Sequence, residues 1–199
     1  MSRKSNTFRS YSPRKINTRE VRQRFLIVCE GEETEPNYFG NFRVPKIVIH
    51  IQGLGKNPTN LVKEIKKLRD KEDYDQVWCV FDRDSWTAND FNSAILKTQQ
   101  ENFKVAYSNE AFELWYLLHF DFVNTGISRK NYEEKLTKRL GYKYQKNSDS
   151  IYNDLIDKQN TAIKNAENLL KQYDPQNPAK DNPSTTVHLL VKELNRFIT

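Results

Sequence analysis

Short apolar runs alternate with helix-like stretches through residues 24–120, and this alternation constrains the fold more than any other feature of the chain. FLIVC (25–29), KIVIHI (46–51), QVWCVF (76–81) and the brief run 104–107 are short, β-branched and bounded by polar residues, as buried strands are. Between them lie segments with helical spacing. Pro36 suits the first turn of a helix over 36–44. Leu61, Ile65 and Leu68 recur on one face, with Lys63, Lys66 and Lys67 on the other. Phe91, Ala94, Ile95 and Leu96 support a third helix, and 110–120 reads as a strongly apolar fourth. Strands alternating with helices imply βαβ units and a mostly parallel sheet flanked by helices, an α/β fold.

The chain changes character after residue 120. Residues 129–140, 151–172 and 184–198 look helical and are separated by polar loops. The expected organisation is therefore a basic flexible arm (1–23), an α/β core (24–120) and a helical C-terminal part (121–199) packed on it.

Charge is distributed unevenly. Residues 1–24 hold eight basic residues against one acid, Glu20, a balance of +7 that leaves −1 for the rest of a chain whose total is +6. An arm so charged and so poor in apolar residues cannot fold alone. It reads either as a solubilising tail or as a nucleic-acid-binding arm, with Arg14, Lys15, Arg19 and Arg22 as contact residues. No run approaches the ~20 apolar residues of a membrane span, and no apolar segment follows the basic N-terminus as in a secretory signal. Cys29 and Cys79 both sit in strand-like runs and read as buried inert thiols, consistent with a reducing cytoplasm. His50, His119 and His188 lack metal-ligand spacing, and GLGKNPTN fails the phosphate-loop pattern.

Two of the strands stop at carboxylates. FLIVC runs into EGEETE, and QVWCVF into DRD. In a parallel sheet both ends fall on one edge, where ligands bind. Asp82 and Asp84, two apart on extended chain, can share a face and converge with Glu30. Carboxylates this close need protons or a cation. Their hard oxygens suit Mg²⁺ or Mn²⁺. Turn formation and helix capping are the plainer explanation of DRD, and a favourable dipole contact that of Glu35. Glu32 and Glu33 read as solvated. Glu113 is the one charge in AFELWYLL, so burial obliges it to find a basic partner, a metal, or a metal ligand to bond.

The order strand–EG, helix, strand, helix, strand–DRD, helix, strand resembles a Toprim domain, the metal-binding fold of topoisomerases, primases and OLD-type nucleases. More narrowly, IVCEGEETEPNYF (27–39), VFDRD (80–84), SNEAFELWYLLHF (108–120) and NPSTTVHLLVKEL (182–194) resemble the RloB family, Toprim-like proteins found beside restriction–modification and phage-defence genes. Glu110 stands where that family often has proline, which bears on the helix start and leaves the acids untouched. The resemblance implies that Glu30, Asp82 and Asp84 bind metal with Glu35 as a further acid, and that Glu113, Ser108, Asn109 and His119 belong to a family signature. It implies a Mg²⁺-dependent nuclease, effector of an antiviral system, with nucleic acid as substrate and an AAA or ABC-type ATPase as partner. The alternative is a non-catalytic nucleic-acid-binding or regulatory subunit of such a complex. Homo-oligomerisation is left open. VFDRD alone also occurs in haloacid-dehalogenase phosphatases, but Trp86 and the motif's place on the third strand argue against that reading.

Overall fold

The computed structural model describes residues 23–44, 47–51, 58–83, 86–146, 148 and 150–198. Its centre is a sheet in the order β2-β1-β3-β4-β5. The strands are β1 (Phe25–Cys29), β2 (Ile47–Ile51), β3 (Gln76–Asp82), β4 (Lys104–Asn109) and β5 (Ser184–Thr185). β1 to β4 are mutually parallel, and the two-residue β5 runs antiparallel to the end of β4. The α/β architecture expected from the alternation is the one observed.

Alternate residues of each central strand feed opposite faces, as the period of two requires. Phe25, Ile27 and Cys29 of β1, with Trp78 and Val80 of β3, join one apolar cluster. Leu26 and Val28, with Val77, Cys79 and Phe81, join another on the far side. The second face is covered by α2 (Pro58–Arg69), through Ile65, and by α3 (Ala88–Gln100), through Phe91, Ala94 and Ile95. Thr87 caps α3: its Oγ1 accepts from the Asp90 N–H at 3.1 Å and its hydroxyl donates to Asp90 Oδ2 at 2.7 Å.

The first face carries the remaining α-helices. α1 (Thr34–Gly40), α4 (Glu113–Leu118), α5 (Arg129–Leu140), α6 (Ile151–Leu155), α7 (Gln159–Leu170) and α8 (Val187–Asn195) all contribute to its cluster. Aromatic rings fill much of it; Tyr38 contacts Phe39, Phe42, Phe112, Trp115, Tyr116 and Tyr152 with centroids 5.3–6.4 Å apart. Residues from both sides of position 120 thus share one continuous core. Among the described residues, no helix is long and apolar enough to cross a membrane.

Four expected helices differ in detail, and the first of them, expected over 36–44, spans Thr34–Gly40. The helix over 110–120 begins only at Glu113, because β4 continues to Asn109; the Phe112 N–H, free of the helix at its N-cap, donates to the Asp82 side chain at 3.0 Å. The stretch 151–172 is divided by a 3₁₀ turn at Ile156–Lys158. Ser184 and Thr185 open no helix; they extend the sheet. Ser108 Oγ and Thr185 Oγ1 lie 3.1 Å apart, Thr185 Oγ1 donates to Tyr107 O at 2.9 Å, and Thr186 N–H donates to the same carbonyl at 2.9 Å. Hydroxyls that bond to a neighbouring backbone compete with the helix, and here they fasten the last segment to the β4 edge.

Leu190, fully buried in the larger cluster, tests whether the two parts of the chain fold together. Leu190→Ala is expected to lower unfolding free energy by about 2–5 kcal/mol in one cooperative transition. Denaturant unfolding followed by tryptophan fluorescence and by circular dichroism checks this. Two separated transitions would show that the C-terminal helices unfold independently.

Candidate functional site

The parallel register carries the ends of β1 and β3 to one edge. Glu30 follows β1 and keeps its place against β3 through its N–H, which donates to Val80 O at 2.9 Å. Asp82 closes β3 opposite Ser108 of β4. Two short helices return further acids to this edge. Glu35 lies in the first turn of α1, and Glu113 is the first residue of α4. Glu35, Asp82 and Glu113 are 5%, 8% and 2% exposed. Glu30 is half-buried, and its Oε1 accepts from the Trp86 indole N–H at 2.7 Å. Glu32 and Glu33 are exposed, as expected.

The Glu35 carboxyl group rests against Gly31. A β-carbon at position 31 would overlap that group, so the carboxyl folds back into the space a side chain would fill. Asp82 Oδ2 accepts from the Phe112 N–H at 3.0 Å and from Arg129 Nη2 at 3.2 Å. Asp82 Oδ1 is buried with no hydrogen-bond partner. Glu113 Oε1 accepts from the Tyr144 hydroxyl at 3.3 Å, and its Oε2 lies 3.9 Å from Arg129 Nε. Tyr116 donates to Thr34 O at 3.1 Å, joining α4 to α1 beneath the acids.

Burial pushes Glu35 up from the usual 4.5 to about 7; the Glu113 and Glu30 carboxylates add to this, while its own backbone N–H and Arg129 oppose it. Asp82 is raised well above the ordinary carboxylate range by burial, then by Glu35 and Glu113, against Arg129 and the Phe112 N–H. Glu35, Asp82 and Glu113 therefore form one interacting group of acids. Among the described residues, no three His, Cys, Asp or Glu side chains have the spacing of a ready-made metal site. The donor chemistry nevertheless fits a hard cation: carboxylate oxygens crowd together and one of them, Asp82 Oδ1, is buried without a partner.

Of the acids singled out in the sequence, Glu35, Asp82 and Glu113 are brought together, with Glu30 close enough to act on Glu35. Asp84 and the arm residues Arg14, Lys15, Arg19 and Arg22 lie outside the described residues. Glu113 has the basic partner that its burial called for. Ser108 and Asn109 hold structure: Ser108 meets Thr185, and Asn109 Nδ2–H donates to Pro178 O at 2.9 Å. His119 and His188 are packed in the core, and burial lowers both to about 4. Both cysteines are buried free thiols, raised by burial. Sequence reasoning missed Arg129, Tyr144 and the bonding role of Trp86. No local pattern marks the first two, since they reach the site through tertiary packing alone.

The raised Glu35 sets a direction for stability with pH. Between pH 4.5 and about 7 the folded protein keeps a proton that the unfolded chain has released, so stability falls as pH rises through that window. Glu35→Gln keeps a neutral side chain there and is expected to flatten this part of the profile of melting temperature against pH, recorded without divalent metal. An undiminished slope in the variant would place the titration elsewhere.

No curated protein and no solved structure gave a match to the chain. A protein-family model described as RloB-like protein matches residues 25–194, from the first residue of β1 almost to the end of α8. On that match over most of its length, the chain belongs to the RloB-like protein family.

Proposed function

We propose that this protein is a divalent-metal-dependent nuclease, the effector of a bacterial anti-phage system that works with an AAA or ABC-type ATPase. The observation that carries the reading is the group Glu35, Asp82 and Glu113, buried at the carboxyl edge of a parallel sheet with Asp82 Oδ1 unpartnered. Asp82 and Glu30, at the ends of two adjacent strands, are the residues to hold Mg²⁺ or Mn²⁺, with Asp84 as the second acid of the DxD pair and Glu35 in support. A bound divalent ion supplies charge neutralisation at a phosphodiester and a more acidic water. Glu35, near neutrality in its proton affinity, is suited to hold or release a proton at its carboxyl oxygens at working pH. Trp86 fixes the Glu30 carboxylate through its indole N–H, and the Phe112 N–H fixes that of Asp82. Family membership supports the defence setting, and the basic arm supports a nucleic-acid substrate.

A second reading, a non-catalytic nucleic-acid-binding subunit, draws on the contacts of Arg129 with Asp82 and Glu113, which partly neutralise the acids without any metal. Asp82→Asn separates the two. The amide keeps the bond from the Phe112 N–H and removes one repelling charge, so the variant is expected to fold with unchanged or higher melting temperature. Cleavage of labelled single- and double-stranded DNA and RNA, with Mg²⁺ or Mn²⁺ and with the ATPase present, is expected to fall by roughly a hundredfold or more. Chelation of the metal is expected to do the same to the unaltered protein. Full activity in the variant would sink the nuclease reading, and absence of metal binding at millimolar Mn²⁺ would favour the second.

A further inference from the structure

The acid edge cannot hold a nucleic acid by itself. Glu30, Glu35, Asp82 and Glu113 lie together there, and a nucleic-acid strand carries one negative charge per phosphate. The cations that grip the strand have to come from surfaces around that edge. Residues 25–199 carry a balance of −1, unevenly spread. Residues 129–146, α5 and the segment after it, hold seven basic residues against two acids, a balance of +5 that leaves −6 for the rest of 25–199. Residues 58–75, α2 and the segment after it, are as long and hold five of each, a balance of zero. A solvated helix face needs charge of either sign, so solvation alone does not account for the excess on 129–146. The helix dipole accounts for Lys138 and Arg139 in the last turn of α5, and gives no reason for Lys130, Lys135, Lys143 or Lys146.

This basic stretch is fastened to the acid edge at both ends. Arg129, the first residue of α5, places Nη2 3.2 Å from Asp82 Oδ2. Gly141, with φ 80°, ends the helix and turns the chain back. The Tyr144 N–H then donates to Thr137 Oγ1 at 3.1 Å, and Lys146 Nζ lies 3.8 Å from Glu133 Oε1, so the return runs beside the helix. Tyr144 is buried with its hydroxyl donating to Glu113 Oε1 at 3.3 Å, while Lys143 is exposed. Lys135 and Lys138 are exposed as well, and among the described residues none of these three lysines has a carboxylate within ion-pair distance. On α2, by contrast, Lys66, Lys67 and Arg69 are paired with Glu101, Glu64 and Asp70. Tyr142, 41% exposed, adds to the same stretch an aromatic surface of the kind on which bases stack.

We propose that α5 and the 141–146 return form a phosphate track: Lys135, Lys138 and Lys143 contact the sugar–phosphate backbone of the nucleic-acid substrate and bring it to the carboxylates at Asp82 and Glu113. The twelve residues of α5 span about 18 Å, the length of about five phosphates along one strand. The inference rests on the nucleic-acid substrate of the reading above and is independent of its metal.

Salt dependence separates a phosphate contact from a structural role, since each neutralised phosphate adds about 0.7–0.9 to the slope of log affinity against log salt. The full chain carrying Lys135→Gln, Lys138→Gln and Lys143→Gln is tested with labelled single- and double-stranded DNA and RNA, in chelator so that neither metal nor cleavage intervenes. It is expected to bind at least about tenfold more weakly at ~50 mM salt and to lose about two units of slope. A charge-matched variant, Lys63→Gln, Lys67→Gln and Lys71→Gln, alters exposed lysines of α2 and the residues after it, and is expected to keep the slope of the unaltered protein. Circular dichroism reads the fold of both. Should the first variant not fold, acetylation of the unaltered protein followed by mass spectrometry still gives a test: bound nucleic acid is expected to protect Lys135, Lys138 and Lys143 more than Lys63 and Lys71. An unchanged slope in the folded first variant, an equal loss in the α2 variant, or no such protection overturns the track and leaves the nuclease reading standing. The expected slopes without cleavage under any divalent metal, the ATPase present, support the track and overturn the nuclease reading. No binding by the unaltered protein at ~50 mM salt overturns both.

Discussion

Carboxylates crowded where water barely reaches are the constraint that organises this molecule. Glu35, Asp82 and Glu113 come from α1, β3 and α4, so their mutual repulsion is felt by three elements at once. Donors from the cap of α4, from the start of α5 and from the segment after it meet the crowding. The Phe112 N–H at the cap of α4 serves Asp82, Tyr144 reaches from beyond α5 to Glu113, and Arg129 spans two acids from the start of α5. The seat of α5 and the path of the chain after it answer to the same buried negative charge. A sheet edge without those acids would require none of these arrangements.

The last helices are bound to the core by a different chemistry. β5 contributes only two residues, yet it places Thr185 and Thr186 where their hydroxyls and backbone meet Val105, Tyr107 and Ser108. Beneath that polar seam, Val187, Leu190, Val191 and Leu194 of α8 join the same apolar cluster as Phe25 and Trp78. The polar seam sets the register of the segment, and the apolar face supplies most of its burial. This division of labour explains why a stretch with a helical apolar stripe also carries a strand.

Much of the scaffold was legible because its signals are local. Continuous apolar runs marked β1 and β3, and helical spacing marked α2 and α3, since burial on two faces and on one face leave different periods. Glu30, Glu35 and Asp82 could be singled out because a parallel sheet delivers strand ends to one place, a rule that needs only element order. Glu113 stood out as a lone charge in an apolar helix. What the sequence withheld depends on distant pairing. Ser184 and Thr185 belong to a strand only because β4 lies beside them, and an arginine at position 129 is like any other until Asp82 is across from it. The start of α4 was misplaced for the same reason, since β4 runs on to Asn109 only because β3 and β5 lie beside it.

Gly31 gives the acid cluster a control that carries no charge. The space a methyl group would need is filled by the carboxyl of Glu35, so a side chain at residue 31 would move that carboxyl from its place among its neighbours. A steric change there would act as an electrostatic one: it would retune proton affinity and cation preference without adding or removing an ionisable group. The electrical character of the site is therefore set partly by shape, through the one residue in the EGEETE turn that has no side chain to offer.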